Sequence, residues 1–474
     1  MNKKVMALAV ASVLAAPAAY AQSSNVQLYG RAVLGIDSYK ADGARDQASA
    51  GQVYNPTPGA PTPTNPLGTP FGTNAAGDTC QLGQAACTSG SSVDRKSRLR
   101  IFDNSSRVGL RGTEDLGNGL KAIFQIETGV NIDNGSNIGQ GGQNNASSGF
   151  WASRDSFVGL DSNFGRLTFG RQSVYWANGV NAQFAANYIN TEIPWTNGTQ
   201  LGRISFQGAS PARVSNMAQY TTPTFAGLNA TLSYSPNFQE AVQGETAVGA
   251  TAGQKSDGYL WGATLRGTWG PFYAQIDYAD VNGNSWIYPT VVAAGTPTPT
   301  RGTSEVWKAG ASWGYMPGAR IGLIYVKTTT NNAFQAPVSL VVVGGGVNGA
   351  TGFSYGNRVN QDGWTLNWEH TFGNFQIMAQ YGFTGDIKGC DSPVLGQVSW
   401  VGCDNSKSTG YMVGGRYFLS KRTWLFASWN LVSNKENNFA DYTGGAITST
   451  VPSAGNVPWG ADPQIWALGI FHQF

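Results

Sequence analysis

Histidine is almost absent from this chain, with two in 474 residues, and cysteine is scarce, with four. Two histidines leave little material for general acid–base catalysis or for an imidazole-bound metal. Charge is thin as well. Asp, Glu, Lys and Arg together make up 12%, about half of the roughly 25% usual in soluble domains. The signs nearly balance, 30 basic against 27 acidic residues, so no basic surplus points to nucleic acid. Beyond the first residues no apolar run reaches the roughly 18 residues of a membrane-spanning helix, which excludes a helical membrane protein. What the chain does have is 63 Gly, 15 Trp, 19 Tyr and 22 Phe. A chain that is polar on average can still span lipid as a closed β-barrel, whose strands are apolar on one face and whose backbone groups are all paired.

Both ends fit that reading. Lys3 and Lys4, the apolar stretch Val5–Ala16 and the small-x-small site Ala19-Tyr20-Ala21 read as a secretory signal. Residues 1–21 are therefore expected to be removed, leaving 22–474 as one barrel domain. The stretch is too short for a spanning anchor, and export leads to an oxidising compartment. At the other end Trp466, Leu468, Ile470, His472 and Phe474 share one strand face, and Ala467, Gly469, Phe471 and Gln473 the other. Alternation up to the last residue suits a strand that must pair with the first to close a sheet. An edge strand of a soluble sheet is the alternative.

Between the ends, alternating segments recur. Val26–Tyr39, about Arg98–Gly112 and Leu120–Val130 read as the first three strands. Later hairpins flank Pro223, Gly270-Pro271, Pro317-Gly318, Gly373-Asn374 and Ser420-Lys421. The count is about sixteen, an even number, with short turns and long loops on opposite ends. A soluble sandwich does not sort its connections that way. The fold class is therefore all-β, a transmembrane antiparallel barrel of about sixteen strands with short periplasmic turns and long extracellular loops.

Several segments resemble the trimeric general porins of Gram-negative outer membranes, especially the β-proteobacterial branch. The most specific runs from Ser106-Arg107-Val108-Gly109-Leu110-Arg111-Gly112 through Thr113-Glu114-Asp115-Leu116-Gly117-Asn118-Gly119 to Leu120-Lys121-Ala122. Val26-Gln27-Leu28-Tyr29-Gly30, Arg416–Thr423 and Gly469–Phe474 are similar too. The resemblance implies a homotrimer in the outer membrane, among its lipid and lipopolysaccharide. It implies passive diffusion of small hydrophilic solutes and ions, and a third long loop, residues 172–212, folded inward as a constriction. It also makes Phe474 the mark read by barrel-assembly machinery.

Strand parity gives an independent reading of the pore. A charge facing lipid at mid-membrane costs about 2–4 kcal/mol. Arg31 should therefore face inward with Gln27 and Tyr29, and Arg107 and Arg111 should face inward opposite Val108 and Leu110. Parity sets Arg154 with Ser156 against Phe157, and Arg213 with Ser215 and Gln219 against Val214, Ala218 and Tyr220. By resemblance these strands carry the basic ladder of the constriction, and Arg31, Arg107, Arg154 and Arg213 match it. Arg111 and Arg166 extend the basic surface. In 172–212 the only acid is Glu192, where related porins often carry several. A net positive constriction, and hence a preference for anions, is expected.

Other motifs weigh less. Gly344, Gly346 and Gly349 fit a nucleotide-binding spacing, but no helix follows, so they read as a glycine-rich loop. Cys80 and Cys87 lie in one loop and Cys390 and Cys403 in another. Three connectivities are open, pairing within each loop is the simplest, and no metal-ligand spacing surrounds them. Glu369 and His370 point to opposite strand faces. No enzyme activity, cofactor or metal is expected. Two other readings stay open: a substrate-specific outer-membrane channel, and an adhesin-like structural barrel resting on the long loops.

Overall fold

The computed structural model describes residues 24–43, 95–103, 106–130, 132–133, 151–174, 213–236, 259–284, 302–331, 341–343, 346–348, 358–386, 388, 405, 407–435 and 460–474. Glu192, the four cysteines, residues 1–21 and most of 172–212 lie outside them. Every regular element among the described residues is a strand. In chain order these are β1 (Ser24–Asp42), β2 (Arg95–Asp103), β3 (Arg107–Gly117), β4 (Leu120–Gly129), β5 (Ser156–Ser162), β6 (Gly165–Ser173) and β7 (Arg213–Thr221). Then follow β8 (Leu228–Pro236), β9 (Tyr259–Trp269), β10 (Phe272–Asn284), β11 (Gly302–Met316), β12 (Ala319–Asn331) and a separate small hairpin, β13 (Val341–Val343) with β14 (Gly346–Asn348). The hairpin carries part of the glycine motif noted above. The chain ends with β15 (Arg358–Phe372), β16 (Phe375–Thr384), β17 (Ser408–Phe418), β18 (Thr423–Asn434) and β19 (Asp462–Gln473).

Neighbouring strands pair antiparallel around the whole sheet, and β19 returns to β1 with Arg31 opposite Gln473 and Asp42 opposite Asp462. β2 and β3 follow one another along one edge of β1. They form one span, interrupted between Asp103 and Arg107, where the sequence suggested a continuous strand. Sixteen spans thus close the barrel. Closure leaves no unpaired sheet edge.

Period-two alternation decides which side chains face out. On β1, Leu28 and Ile36 are exposed while Arg31, Val33, Asp37 and Tyr39 are buried. On β16, β18 and β19 the same pattern exposes Phe375, Ile377, Leu425, Trp466 and Leu468. Tight turns join the strands at one end. In the first, Gly117, Asn118 and Gly119 all have positive φ, 87°, 53° and 78°. Two glycines and an asparagine are the residues that tolerate such a run.

The closing seam depends on one glycine. The backbones of Gly30 and Phe474 exchange hydrogen bonds of 3.2 and 3.1 Å. A Cβ on Gly30 would lie 2.5 Å from the Phe474 ring and 2.6 Å from the Arg107 carbonyl oxygen. The missing side chain is what lets the last residue dock across the first strand.

Candidate functional site: an arginine cluster on the inner wall

The first strands bring three of the expected arginines together. Arg31 and Arg107 are register partners between β1 and β3, and Arg107 stands opposite Gly129 of β4. Arg154 lies just before β5 and crosses Gly129, whose absent Cβ would sit 3.6 Å from its chain. Arg107 and Arg154 both pair with one acid that sequence reasoning did not assign to the site, Glu127, and Arg31 stands beside Arg107. Arg154 Nε donates to Glu127 Oε1 at 2.6 Å, and Arg107 Nε stands 3.4 Å from Oε2. Tyr29 donates its hydroxyl to the same Oε2 at 3.1 Å. Glu127 and Arg154 are each 4% exposed.

Glycine again makes the arrangement possible. Tyr29, Gly109 and Glu127 lie in one cross-strand row. A Cβ on Gly109 would meet the Tyr29 ring at 2.6 Å, so the ring lies over Gly109 to reach Glu127. Alternation along β4 sets Glu127 opposite outward Ile126, on the inward face with Tyr29 and Arg107. The acid inside the basic group was therefore visible as a face, though not as a contact.

The other expected residues are spread around this centre. Arg111 donates from Nε and one terminal nitrogen to Gln27 Oε1, at 2.9 and 2.7 Å, and covers the Tyr29 ring at 5.0 Å. It is exposed, unlike Arg31 and Arg154. Arg213 pairs with Asp155 at 3.2 Å instead of joining Glu127. Burial alone would raise the Asp155 pKa, but Arg213, hydrogen bonds from Ser173 and nearby Arg154 hold its carboxyl below the ordinary range. Strict alternation along β7 fails. The register shifts between Gly170 and Gln172, and Asn216 takes φ 55°. Val214 and Met217 then share one buried apolar cluster. Gln219 consequently does not share the alternation of Arg213 and Ser215. Arg166 pairs with Asp161 at 2.9 Å on a more exposed surface.

A second feature lies on the adjoining inner wall. Trp424 and Phe471 stack with centroids 3.8 Å apart and planes 10° apart. Arg416 covers Trp424 at 5.2 Å from one end, and Arg31 lies 5.7 Å from the Phe471 ring at the other. The two histidines stand elsewhere. His370 packs between Trp368 and Phe372, and His472 Nδ1 lies 2.9 Å from the Thr423 hydroxyl.

Comparison with known proteins agrees with this architecture. A family model described as Gram-negative porin matches residues 7–437. An outer membrane porin protein of Bordetella pertussis is 29% identical over 343 residues, 70% of this chain and 77% of that protein. The solved anion-selective porin of Comamonas acidovorans superposes with a TM-score of 0.59 at 21% identity, covering 95% of this chain and 100% of that one. An outer membrane protein of Vibrio cholerae, solved in a trimer form, gives 0.52 at 10% identity, covering 95% and 100%. At such identities the two structural likenesses speak for the fold.

Proposed function

The chain belongs to the Gram-negative porin family, and from that premise we propose that its outer-membrane channel prefers small anions. The observation that carries the reading is the arginine cluster: Arg107 and Arg154 pair with the buried carboxylate of Glu127, and Arg31 stands beside them. Three guanidinium groups against two acids, Glu127 and, beside Arg31, Asp103, still leave a net positive station on the inner wall. A charged constriction with low-dielectric walls raises the local concentration of counter-ions. Arg111 and Arg213 extend it, the latter with its charge offset by Asp155. The reading takes in residues 172–212 as the constriction loop, with Glu192 as its acid; all but Gln172, Ser173 and Val174 lie outside the described residues. Val174 and Val214, which bound most of that segment, both belong to a buried apolar cluster with Met217, Leu260, Val306 and Ile324. That cluster offers an apolar seat on the inner side of the barrel. The name of the Comamonas porin supports the same selectivity.

The homotrimer is part of this proposal. Its support is the trimer form of the Vibrio protein and the outward face of β1–β6, which bears no Trp or Tyr among the described residues. Aromatic belts mark the surfaces that meet lipid headgroups, so a face without them suits contact with protein. Phe474, seated on Gly30, acts as the assembly signal. The test of selectivity is the reversal potential of the reconstituted channel in a KCl gradient. A chloride preference is expected, and a clear potassium preference overturns it.

One observation favours a narrower channel specificity. The Trp424–Phe471 stack between Arg416 and Arg31 offers planar apolar faces beside cations, which suits an aryl carboxylate. Benzoate should then block chloride current at lower concentration than acetate. Equal block by the two removes this second reading.

A further inference from the structure

Glu369 is an inward acid whose charge its own wall does not meet. Leu366 and Phe372 of β15 are exposed on the outer face, so alternation turns Glu369 to the lumen side, where it is 7% exposed. Three other inward acids are held by donors. Arg100 forks onto Asp37, Arg154 donates to Glu127, and Asp277 accepts from Thr264 at 2.6 Å and from Gln275 at 2.8 Å. Glu369 Oε2 is covered and meets no donor among the described residues. The amides around it are committed elsewhere. Asn367 donates to the Gly322 carbonyl and to Thr365, Gln380 donates to Asn367, and Gln376 donates to Thr371 at 3.0 Å. A carboxylate oxygen left without a donor is costly, so this one is a place for a group that brings its own N–H.

We propose that Glu369 and Arg320 form a solute site for small α-amino acids, in which Glu369 accepts from the solute ammonium and Arg320 donates to the solute carboxylate. The two residues are register partners on β15 and β12. Residues so paired share a face and have Cβ atoms about 4.5–5.5 Å apart. An α-amino acid carries both its charges on one carbon, so it needs an acid and a base side by side. A guanidinium has five N–H donors in a fixed fork, so Arg320 receives a carboxylate in addition to the contacts it makes within the protein. β12 lies half-way round the barrel from β4, which sets this site on the wall opposite Glu127 and its arginines. The proposal goes beyond the anion preference and rests only on the chain forming a channel.

Alanine and 6-aminohexanoate test this on the full-length protein in planar bilayers. Both are zwitterions without net charge, but only alanine holds its two charges on one carbon. Alanine should half-block the chloride current at a severalfold lower concentration than 6-aminohexanoate. Glu369→Gln keeps the shape of the side chain and should raise the alanine value about tenfold, equivalent to about 1.4 kcal/mol, with little effect on 6-aminohexanoate. Arg320→Gln should weaken alanine too while sparing ethylamine, and it serves if Glu369→Gln does not fold. Glu114→Gln, on the outer face of β3, should change neither value. Equal block by the two zwitterions, or an alanine block that survives Glu369→Gln in folded protein, overturns the site and leaves Glu369 a structural partner of Arg320. Ethylamine that blocks as strongly as alanine, with both blocks lost in Glu369→Gln, assigns the acid to amines alone and equally overturns it. The reversal potential is read on the same membranes. Potassium preference with the alanine block intact overturns the anion reading and leaves this site standing, and a protein that conducts nothing removes both.

Discussion

The wall from β1 to β6 and the wall from β8 to β19 are built from the same alternation but loaded in opposite ways. On the first, the inward positions gather cations: Arg107 and Arg154 on Glu127 with Arg31 beside them, and Arg100 forked onto buried Asp37 at 2.9–3.0 Å. Its outward positions are Val, Leu, Ile and Phe, such as Leu28, Leu99, Val158 and Phe169. On the second, many inward positions are uncharged polar residues that bond to one another, as Gln380 does to Asn367 and Thr384 to Ser408. Its outward positions carry two levels of aromatics. Trp261, Tyr278 and Trp307 meet at 5.0 and 4.5 Å near the long-loop end. Phe272 and Trp313 stack, and Phe375 meets Tyr417 at 4.7 Å, near the short-turn end. One sheet thus separates its tasks by sector. Among the described residues, the charged interior belongs to the sector whose exterior lacks Trp and Tyr, and the aromatic belts belong to the other.

The sharpest way to break this division is to place one charge on each exterior. Leu323→Arg, on the aromatic-banded wall, should cost about 2–4 kcal/mol of folding free energy in vesicles, read by urea unfolding. Val158→Arg on the aliphatic wall should act chiefly on association, read as loss of trimer on gels of unheated protein. Equal effects of the two on folding and association would erase the distinction. At the seam joining the walls, Gly30→Val puts a branched side chain against the Phe474 ring and a backbone carbonyl. A loss of about 1–3 kcal/mol is expected, together with a lower assembled yield, and full yield would show that the docked Phe474 is dispensable.

Smaller effects sharpen the interior half of the comparison. Replacing Arg31, Arg107 and Arg154 together by Gln should reduce the chloride-to-potassium permeability ratio severalfold. Arg266→Gln on the other wall should move the reversal potential much less. Glu127→Gln should shift it in the opposite direction, toward stronger anion preference, because Arg107 and Arg154 then lose the carboxylate they pair with. The mildest expectation concerns Asp155. Its carboxyl titrates below the ordinary value near 3.9, so the Asp155–Arg213 pair adds stability above that value. The contribution fades only as pH falls through the lower, folded value. Asp155→Asn should remove this acid-side loss, seen as a flatter dependence of the unfolding midpoint below about pH 4.

Much of this was legible in the residues because a barrel strand has a strict period of two and a costly wrong face. The faces of Leu28 against Arg31, of Leu120 to Ile126 against Gln125 and Glu127, and of Trp466 against Phe471 follow from that rule alone. The rule fails where backbone geometry departs from it. Asn216 in a left-handed conformation and the shifted register beside Gln172 interrupt β7, so Arg213 could not be placed by counting. Arg154 lies before its strand begins. Along β5 Val158 and Leu160 face out and Phe157 pairs with inward Gln125, the reverse of the expected parity. The position of Arg154 therefore comes from the Glu127 carboxylate rather than from alternation.

The sequence by itself determined that the chain spans lipid as strands, how many spans it makes, and which side chains turn from the membrane, because burial of polar backbone and charge leaves one solution. Only the tertiary structure decided which inward residues meet. Tyr29 reaches Glu127 across Gly109, and Arg154 crosses Gly129, because residues about 20 or more positions apart share a row once strand register is set. Register is a property of the closed sheet, and no single strand encodes it.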